Sequence, residues 1–309
     1  MLDSNLLKLS AEVEAAVVAG RAVVALESTV IAHGLPRPLN LETARRLEQI
    51  VRDAGAVPAT IALLGGRLRV GLDDDELERL AFRDDVLKVS RRDLAVAVAR
   101  RLDGATTVAG TLWIASRAGL KVFATGGIGG VHRGALPDVS ADLPELASTP
   151  LTVVCSGAKS VLDLPATREW LETHGVALVG YRTDELPAFY TRRSGLSVDA
   201  RADSASEVAA LARARDALGL RSALVVAVPV PVEFEVDAGV LEESLAEALK
   251  EAESQGVGGR ELTPFLLAQM SRRSDGATLR ANVALLETNA RVAAEIAVEI
   301  AEFGLRNAD

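Results

Sequence analysis

Short unbroken apolar runs alternate with longer stretches of helical period along most of the chain. Ala22–Leu26, Pro58–Leu64, Val86–Ser90, Lys121–Thr125, Leu151–Cys155, Ala177–Tyr181 and Ser222–Pro229 have the length of buried strands. Residues 5–19 set Leu6, Leu9, Val13, Ala16 and Val17 on one face of a predicted helix that Gly20 stops. A second helix follows Asn40 as its cap and closes at Gly55. Gly65-Gly66 joins Pro58–Leu64 to Arg67–Gly71 as a β-hairpin.

Further helices are expected over Asp73–Ala81, Asp93–Leu102, Thr106–Ala118, Ala166–His174 and Ser204–Leu218. Phe189–Asp199 reads as an edge strand or an extended loop interrupted by Gly195. The last third is helical, over Leu241–Gln255, Glu261–Arg273 and Thr278–Phe303. Alternation of this kind predicts an α/β fold, a three-layer α/β/α sandwich on a mainly parallel central sheet. With no clear linker, repeat or low-complexity segment, residues 1–309 read as a single domain.

Composition narrows the picture. Hydrophobic residues make up 49% of the chain but aromatic ones only 3%, so Ala, Val and Leu fill the core, as suits helices packed closely on a parallel sheet. A net charge of −9 argues against a nucleic-acid polymer or an anionic membrane as partner, while leaving room for a local basic pocket that holds a small phosphate. The one cysteine, Cys155, excludes an intrachain disulfide and sits in an apolar run as a small hydrophobe. The N-terminal residues have acids and a helical period where a signal peptide has a basic start, which points to a cytoplasmic protein.

Candidate chemistry gathers between Lys121 and Ser160. Gly126, Gly127, Gly129 and Gly130 follow one apolar run and precede His132 and Arg133, a pattern open to two readings: a tight turn, or an anion cradle of backbone N–H groups. It matches neither the dinucleotide nor the P-loop motif. Lys159, in SGAKS at the end of the next run, is either an amine desolvated enough to attack a carbonyl or an exposed lysine at a helix start. Asp138 and Asp142, with Ser140 between them, offer oxygen to a hard divalent ion, Asp142 being equally suited to capping a helix.

Glu27 follows directly on the strand VVAL and could serve as a general acid or as a cap. Lys88, in VLKVS, is either a snorkelling lysine or an anion partner. Asn282 and Asn289 share a face of the last helix, where at least one is expected in solvent. His33 and His174 show no metal-ligand spacing and take no role beyond loop and helix-end positions.

The blocks ALESTVIAHGLPRP, VLKVSRRDLA, TTVAGTLWIA, FATGGIGGVHRGA, DVSADL, CSGAKSVLDLPATREWLET, GYRTDELPAFY and RANVALLETNARVAAEIA together resemble the pseudouridine-5′-phosphate glycosidases, or pseudouridylate synthases, which are related to indigoidine-synthase A-like proteins. The likeness runs from about Val23 to Phe303. It implies an α/β/α homotrimer with one Mn²⁺, or Mg²⁺, per subunit. The activity it implies is a lyase reaction of pseudouridine catabolism: reversible cleavage of the C–C glycosidic bond of pseudouridine 5′-phosphate to uracil and ribose 5-phosphate.

Carried over by position, the resemblance makes Glu27 the proton donor, Lys159 the covalent nucleophile and Asp138 the metal ligand. Ser140, Ala141 and Asp142 lie beside the substrate, Lys88 and Val108 contact it, Thr125 and His132 fall on its phosphate side, and Asn282 is a site asparagine. A lysine suits this reaction because a C–C bond lacks the lone pair that paired carboxylates protonate in an ordinary glycosidase. An amine can instead open the ribose and form an imine at C1′, which parts from uracil C5 as that carbon is protonated.

Overall fold

The structure is a computed structural model, and it describes residues 6–133, 138–259 and 262–306. In chain order the strands are β1 Leu7–Leu9, β2 Val23–Leu26, β3 Val57–Leu64, β4 Arg67–Val70, β5 Leu87–Val89, β6 Gly104–Thr106, β7 Val122–Ala124, β8 Val131–His132, β9 Thr152–Cys155, β10 Leu162–Asp163, β11 Ala177–Tyr181, β12 Ala200–Ala202 and β13 Leu224–Ala227. The helices are α1 Ala11–Val18, α2 Leu39–Asp53, α3 Asp74–Phe82, α4 Leu94–Ala99, α5 Val108–Arg117, α6 Asp142–Leu146, α7 Leu164–Thr173, α8 Ala205–Ala217, α9 Ala238–Ser254, α10 Leu262–Arg273 and α11 Ala277–Arg306.

One sheet runs β1-β4-β3-β2-β7-β9-β13-β11-β12, with β6 added to β3 and β5 to β6. From β3 through β12 along that path every neighbour is parallel. The reason lies in the runs themselves: VVAL, TVVC and LVVA are buried at every position, so both faces of each strand must be covered by helices. The expected mainly parallel sheet between helical layers is therefore what the chain builds. Among the described residues antiparallel pairing is confined to the β3–β4 hairpin, the β3–β6 pair and the small β8–β10 pair, apart from isolated bridges.

Strand order fixes where a ligand can enter. From β2 the chain crosses to β3 on one side, whereas β7 lies on the other side of β2 and leads on to β9. The order reverses between β2 and β7, which opens a crevice beyond their carboxyl ends. Helix α11, 30 residues long, packs against β2, β7 and β9. Its buried Ala281, Ala290, Ala293, Ala294 and Ala297 let it approach the strands closely.

Several expectations change. Residues 5–19 do not form one helix: Leu7–Leu9 pairs in parallel with β4, and Ser10 caps α1 by accepting the Val13 N–H. The open edge of β4 satisfies backbone groups that a helix would have satisfied locally. Asn40 is not the cap of α2, a position held by Pro38. It lies buried in the first turn and donates to Ile31 O at 2.8 Å and Ala81 O at 3.0 Å. Of the two readings of Phe189–Asp199 the extended loop holds, with an isolated bridge between Ser197 and Glu185, and the strand comes later, at β12. Thr106 ends β6, and the Thr107 hydroxyl caps α5. The Gly65-Gly66 hairpin forms as expected, with φ +56° and +77°, the pair of positive values that a two-residue type I′ turn requires. No described helix is long and apolar enough to cross a membrane.

Candidate active site

A cleft of about 590 Å³, counted with its open mouth, lies at the β2/β7 crevice. Glu27, Lys88 and Lys159 supply its charge, and Thr29, His33 and Asn282 further polar groups. Phe189, Pro264, Leu267 and Leu286 make an apolar wall. This pairing of convergent polar groups with an apolar face is usual for small-molecule sites.

Glu27 is the first residue beyond β2 and is buried. Its two carboxylate oxygens each accept a hydroxyl, from Thr125 at the end of β7 and from Thr29 in its own loop. Between them Ser28 donates to Ile61 O at 2.6 Å and accepts the Thr106 N–H at 2.9 Å, which anchors the exit from β2 to two further strands. Val30–Gly34 then forms a single π-helical turn, a wide turn often found at functional sites, and carries His33 to the cleft.

Lys159 follows β9 through a turn that only glycine can make. At Gly157 φ is +86°, and a Cβ there would run into Pro187 O. The turn is zipped to the glycine-rich turn after β7: Ile128 N–H donates to Gly157 O and Lys159 N–H to Ile128 O, both at 3.1 Å. Lys159 is thereby held half-buried on the cleft wall with Glu27 and Lys88, and no helix starts at it.

Asn289 ties the two turns to α11. It is wholly buried and donates to Thr125 O at 2.9 Å, with Ser156 Oγ 3.1 Å away. Asp142 anchors the other side of the glycine turn: Oδ1 accepts the Ala109 N–H at 2.9 Å and Oδ2 the Gly129 N–H at 2.8 Å. Ala109 lies in the first turn of α5, where a carboxylate is favoured by the helix dipole. Gly129 is needed for this contact, since a Cβ there would lie 2.7 Å from Asp142 Oδ2.

The family model described as indigoidine synthase A like protein matches residues 12–299. The chain belongs to that family. The chain is 51% identical over 299 residues to the pseudouridine-5′-phosphate glycosidase of Caldanaerobacter subterraneus subsp. tengcongensis, which covers 96% of this chain and 97% of that one. The prealnumycin C-glycosynthase, crystallised in complex with ribulose 5-phosphate, superposes with a TM-score of 0.90 at 41% identity, covering 98% of this chain and 100% of that one. An indigoidine synthase A-like protein of Thermotoga maritima gives a TM-score of 0.87 at 39% identity over 96% of this chain and 97% of that one. The resemblance carried by the sequence blocks is thus borne out.

In this indigoidine synthase A-like chain the structure gathers Glu27, Lys88, Lys159 and Asn282 in one cleft, with Thr125 on Glu27. The other candidates lie outside the cleft lining. Val108 is buried as the first residue of α5. His132 pairs with Leu162 in the β8–β10 sheet, and its N–H donates to Asp138 O at 2.8 Å. Asp138 and Ala141 are exposed, and Ser140 Oγ accepts the Asp142 N–H at 3.3 Å. Gly134 to Pro137, between His132 and Asp138, lie outside the described residues. Among the described residues no three His, Cys, Asp or Glu side chains converge as a metal-binding group.

Other members of the site were not singled out from sequence. His33, given only a loop role, stands on the cleft wall, and Thr29 joins it there. Asn282 and Asn289 are both buried, which corrects the expectation that one of them faces solvent. Phe189 holds φ +68°, rare for a bulky residue, and its ring edge would be 2.6 Å from a Cβ at Gly127. Cys155 is the buried hydrophobe expected of it, and burial pushes its thiol up to about 12.

Proposed function

We infer that this protein reversibly cleaves the C–C glycosidic bond of pseudouridine 5′-phosphate, giving uracil and ribose 5-phosphate, through an imine on Lys159. The observation that carries this reading is the meeting of Glu27, Lys159 and Lys88 in one cleft, delivered there by three separate strands. Support also comes from the relatives, one named for this glycosidase reaction and one a C-glycosynthase bound to a pentose phosphate.

In this mechanism the neutral Lys159 amine bonds to C1′ as the C1′–O4′ bond breaks and Glu27 delivers a proton to O4′. Glu27 takes a proton from the ammonium so formed and passes it to uracil C5, which lets the C1′–C5 pair leave with the base while the freed nitrogen lone pair forms the C1′ iminium. Water hydrolyses that iminium, which frees ribose 5-phosphate and restores the amine. Lys88 offers a point charge to the 5′-phosphate, and holding that remote group fixes C1′ against Lys159. Asp138, an exposed carboxylate, fits a Mn²⁺ or Mg²⁺ ion bound by few protein atoms and mostly by water. Such an ion would supply positive charge near the phosphate. Assembly as a homotrimer belongs to the same reading and is tested by light scattering.

The direct experiment follows uracil release by absorbance from pseudouridine 5′-phosphate, from unphosphorylated pseudouridine and from uridine 5′-phosphate, with and without chelator. Release from the first substrate only is the expected result. Equal release from uridine 5′-phosphate would assign a C–N bond enzyme instead, and binding without release a sugar-phosphate sensor.

A further inference from the structure

We propose that Thr29 and Thr125 form a reversible two-hydroxyl clamp that positions the Glu27 carboxyl group for proton transfer, so that the Thr125 hydroxyl serves Glu27 and not the substrate's phosphate. The inference rests on the reading of Glu27 as the proton-transfer group.

Four carboxylates are buried among the described residues: Glu27, Asp103, Asp142 and Glu145. Each of the other three is held by at least one group that can only donate. Asp103 receives the Arg79 guanidinium at 2.6 and 2.8 Å, and Asp142 receives two backbone N–H groups. Glu145 receives Arg91 at 2.9 Å, with the Thr149 hydroxyl on its other oxygen. A guanidinium or a peptide N–H offers a carboxyl group a donor and no acceptor, so it cannot take up the hydrogen bond that a protonated oxygen would donate.

Glu27 is held differently. Among the described residues it has no ion-pair partner, and both of its hydrogen bonds come from threonine hydroxyls, one to each oxygen. A hydroxyl carries one donor and two acceptor lone pairs and rotates freely. It can donate to the carboxylate and, after rotation, accept from the carboxylic acid. The same two contacts therefore survive in both protonation states, which suits a group that must give up a proton and take it back in each turnover.

The grip spans the crevice. Thr125 belongs to the end of β7, 98 residues from Glu27, and its backbone is fixed by donation to Val154 O at 3.0 Å and by acceptance from Asn289. Thr29 grips from the other side, at the start of the π-helical turn, and lines the cleft beside Glu27. Together they leave the carboxyl plane little freedom to turn away from Lys159.

Thr29→Val and Thr125→Val keep side-chain shape and remove the hydroxyl, while Thr29→Ser and Thr125→Ser keep the hydroxyl. Steady-state uracil release should show kcat falling by about 10- to 100-fold in each valine variant with KM within about threefold, and serine restoring kcat. An unchanged kcat, or a raised KM at unchanged kcat in Thr125→Val, would overturn the clamp, the latter by assigning Thr125 to the phosphate. Crystal structures of the wild type and the valine variants decide the question without substrate. Rotation of Glu27 away from its wild-type position upholds the clamp even if no uracil is released. An unmoved Glu27 refutes it whatever the reaction proves to be.

Discussion

Asn289, midway along α11, donates at 2.9 Å to the carbonyl oxygen of Thr125, 164 residues earlier, and lies within hydrogen-bond distance of Ser156. One buried amide thus joins the turn that carries Thr125 to the turn that carries Lys159. Truncation leaves the Thr125 carbonyl and the Ser156 hydroxyl without that partner in a site closed to water. Asn289→Ala should lower unfolding stability by about 1–3 kcal/mol in urea titrations, and should reduce kcat because both turns loosen. Full activity at full stability would show that the two turns hold their shape without it.

Gly129 makes a sharper steric test. A methyl group there would lie 2.6 Å from Ser140 Cβ and 2.7 Å from Asp142 Oδ2, on the carboxylate that joins the glycine turn to α5. Gly129→Ala should cost about 1–3 kcal/mol of stability and depress uracil release, as measured by denaturation and by the absorbance assay. Gly258→Ala, where a methyl group meets nothing within 4 Å, is the control and should behave as wild type.

Much of this was legible in the sequence, for identifiable reasons. VVAL, TVVC and LVVA could only be strands covered on both faces, and the carboxylate and lysine placed just past two such strands fall at the carboxyl edge of the sheet, where Glu27 and Lys159 are found. Gly65-Gly66 declared its own turn. What stayed hidden depends on partners distant in the chain. The LKL run is too short for its period to distinguish strand from helix, and only the edge of β4 decides it. Asn289 faces inward because its acceptors are backbone atoms of remote turns, which no local pattern announces. His33 reaches the cleft through a π-helical turn whose width the sequence does not show.

Cys155 carries a pH prediction. Its thiol is wholly buried and is pushed by burial from an ordinary 9.0 to about 12. Below pH 9 the thiol is neutral in the folded and unfolded chain alike, and it draws no distinction between them. As pH rises from about 9 toward about 12 only the unfolded thiol ionises, so its contribution to stability is progressively lost. Burial raises the Tyr190 phenol in the same direction and adds to the loss. Denaturation midpoints should therefore fall across this range, and less steeply in Cys155→Ala. A thiol reagent at pH 8 should leave the folded protein unmodified and label one cysteine after unfolding.

Reductive trapping bears most directly on Lys159 as the nucleophile. Protein incubated with ribose 5-phosphate and borohydride, then digested and analysed by mass spectrometry, should carry a reduced pentose phosphate on the peptide containing Lys159, and Lys159→Ala should take up none and release no uracil. Turnover by Lys159→Ala, or a wild-type peptide that stays unmodified while uracil is being released, would contradict an imine at this residue.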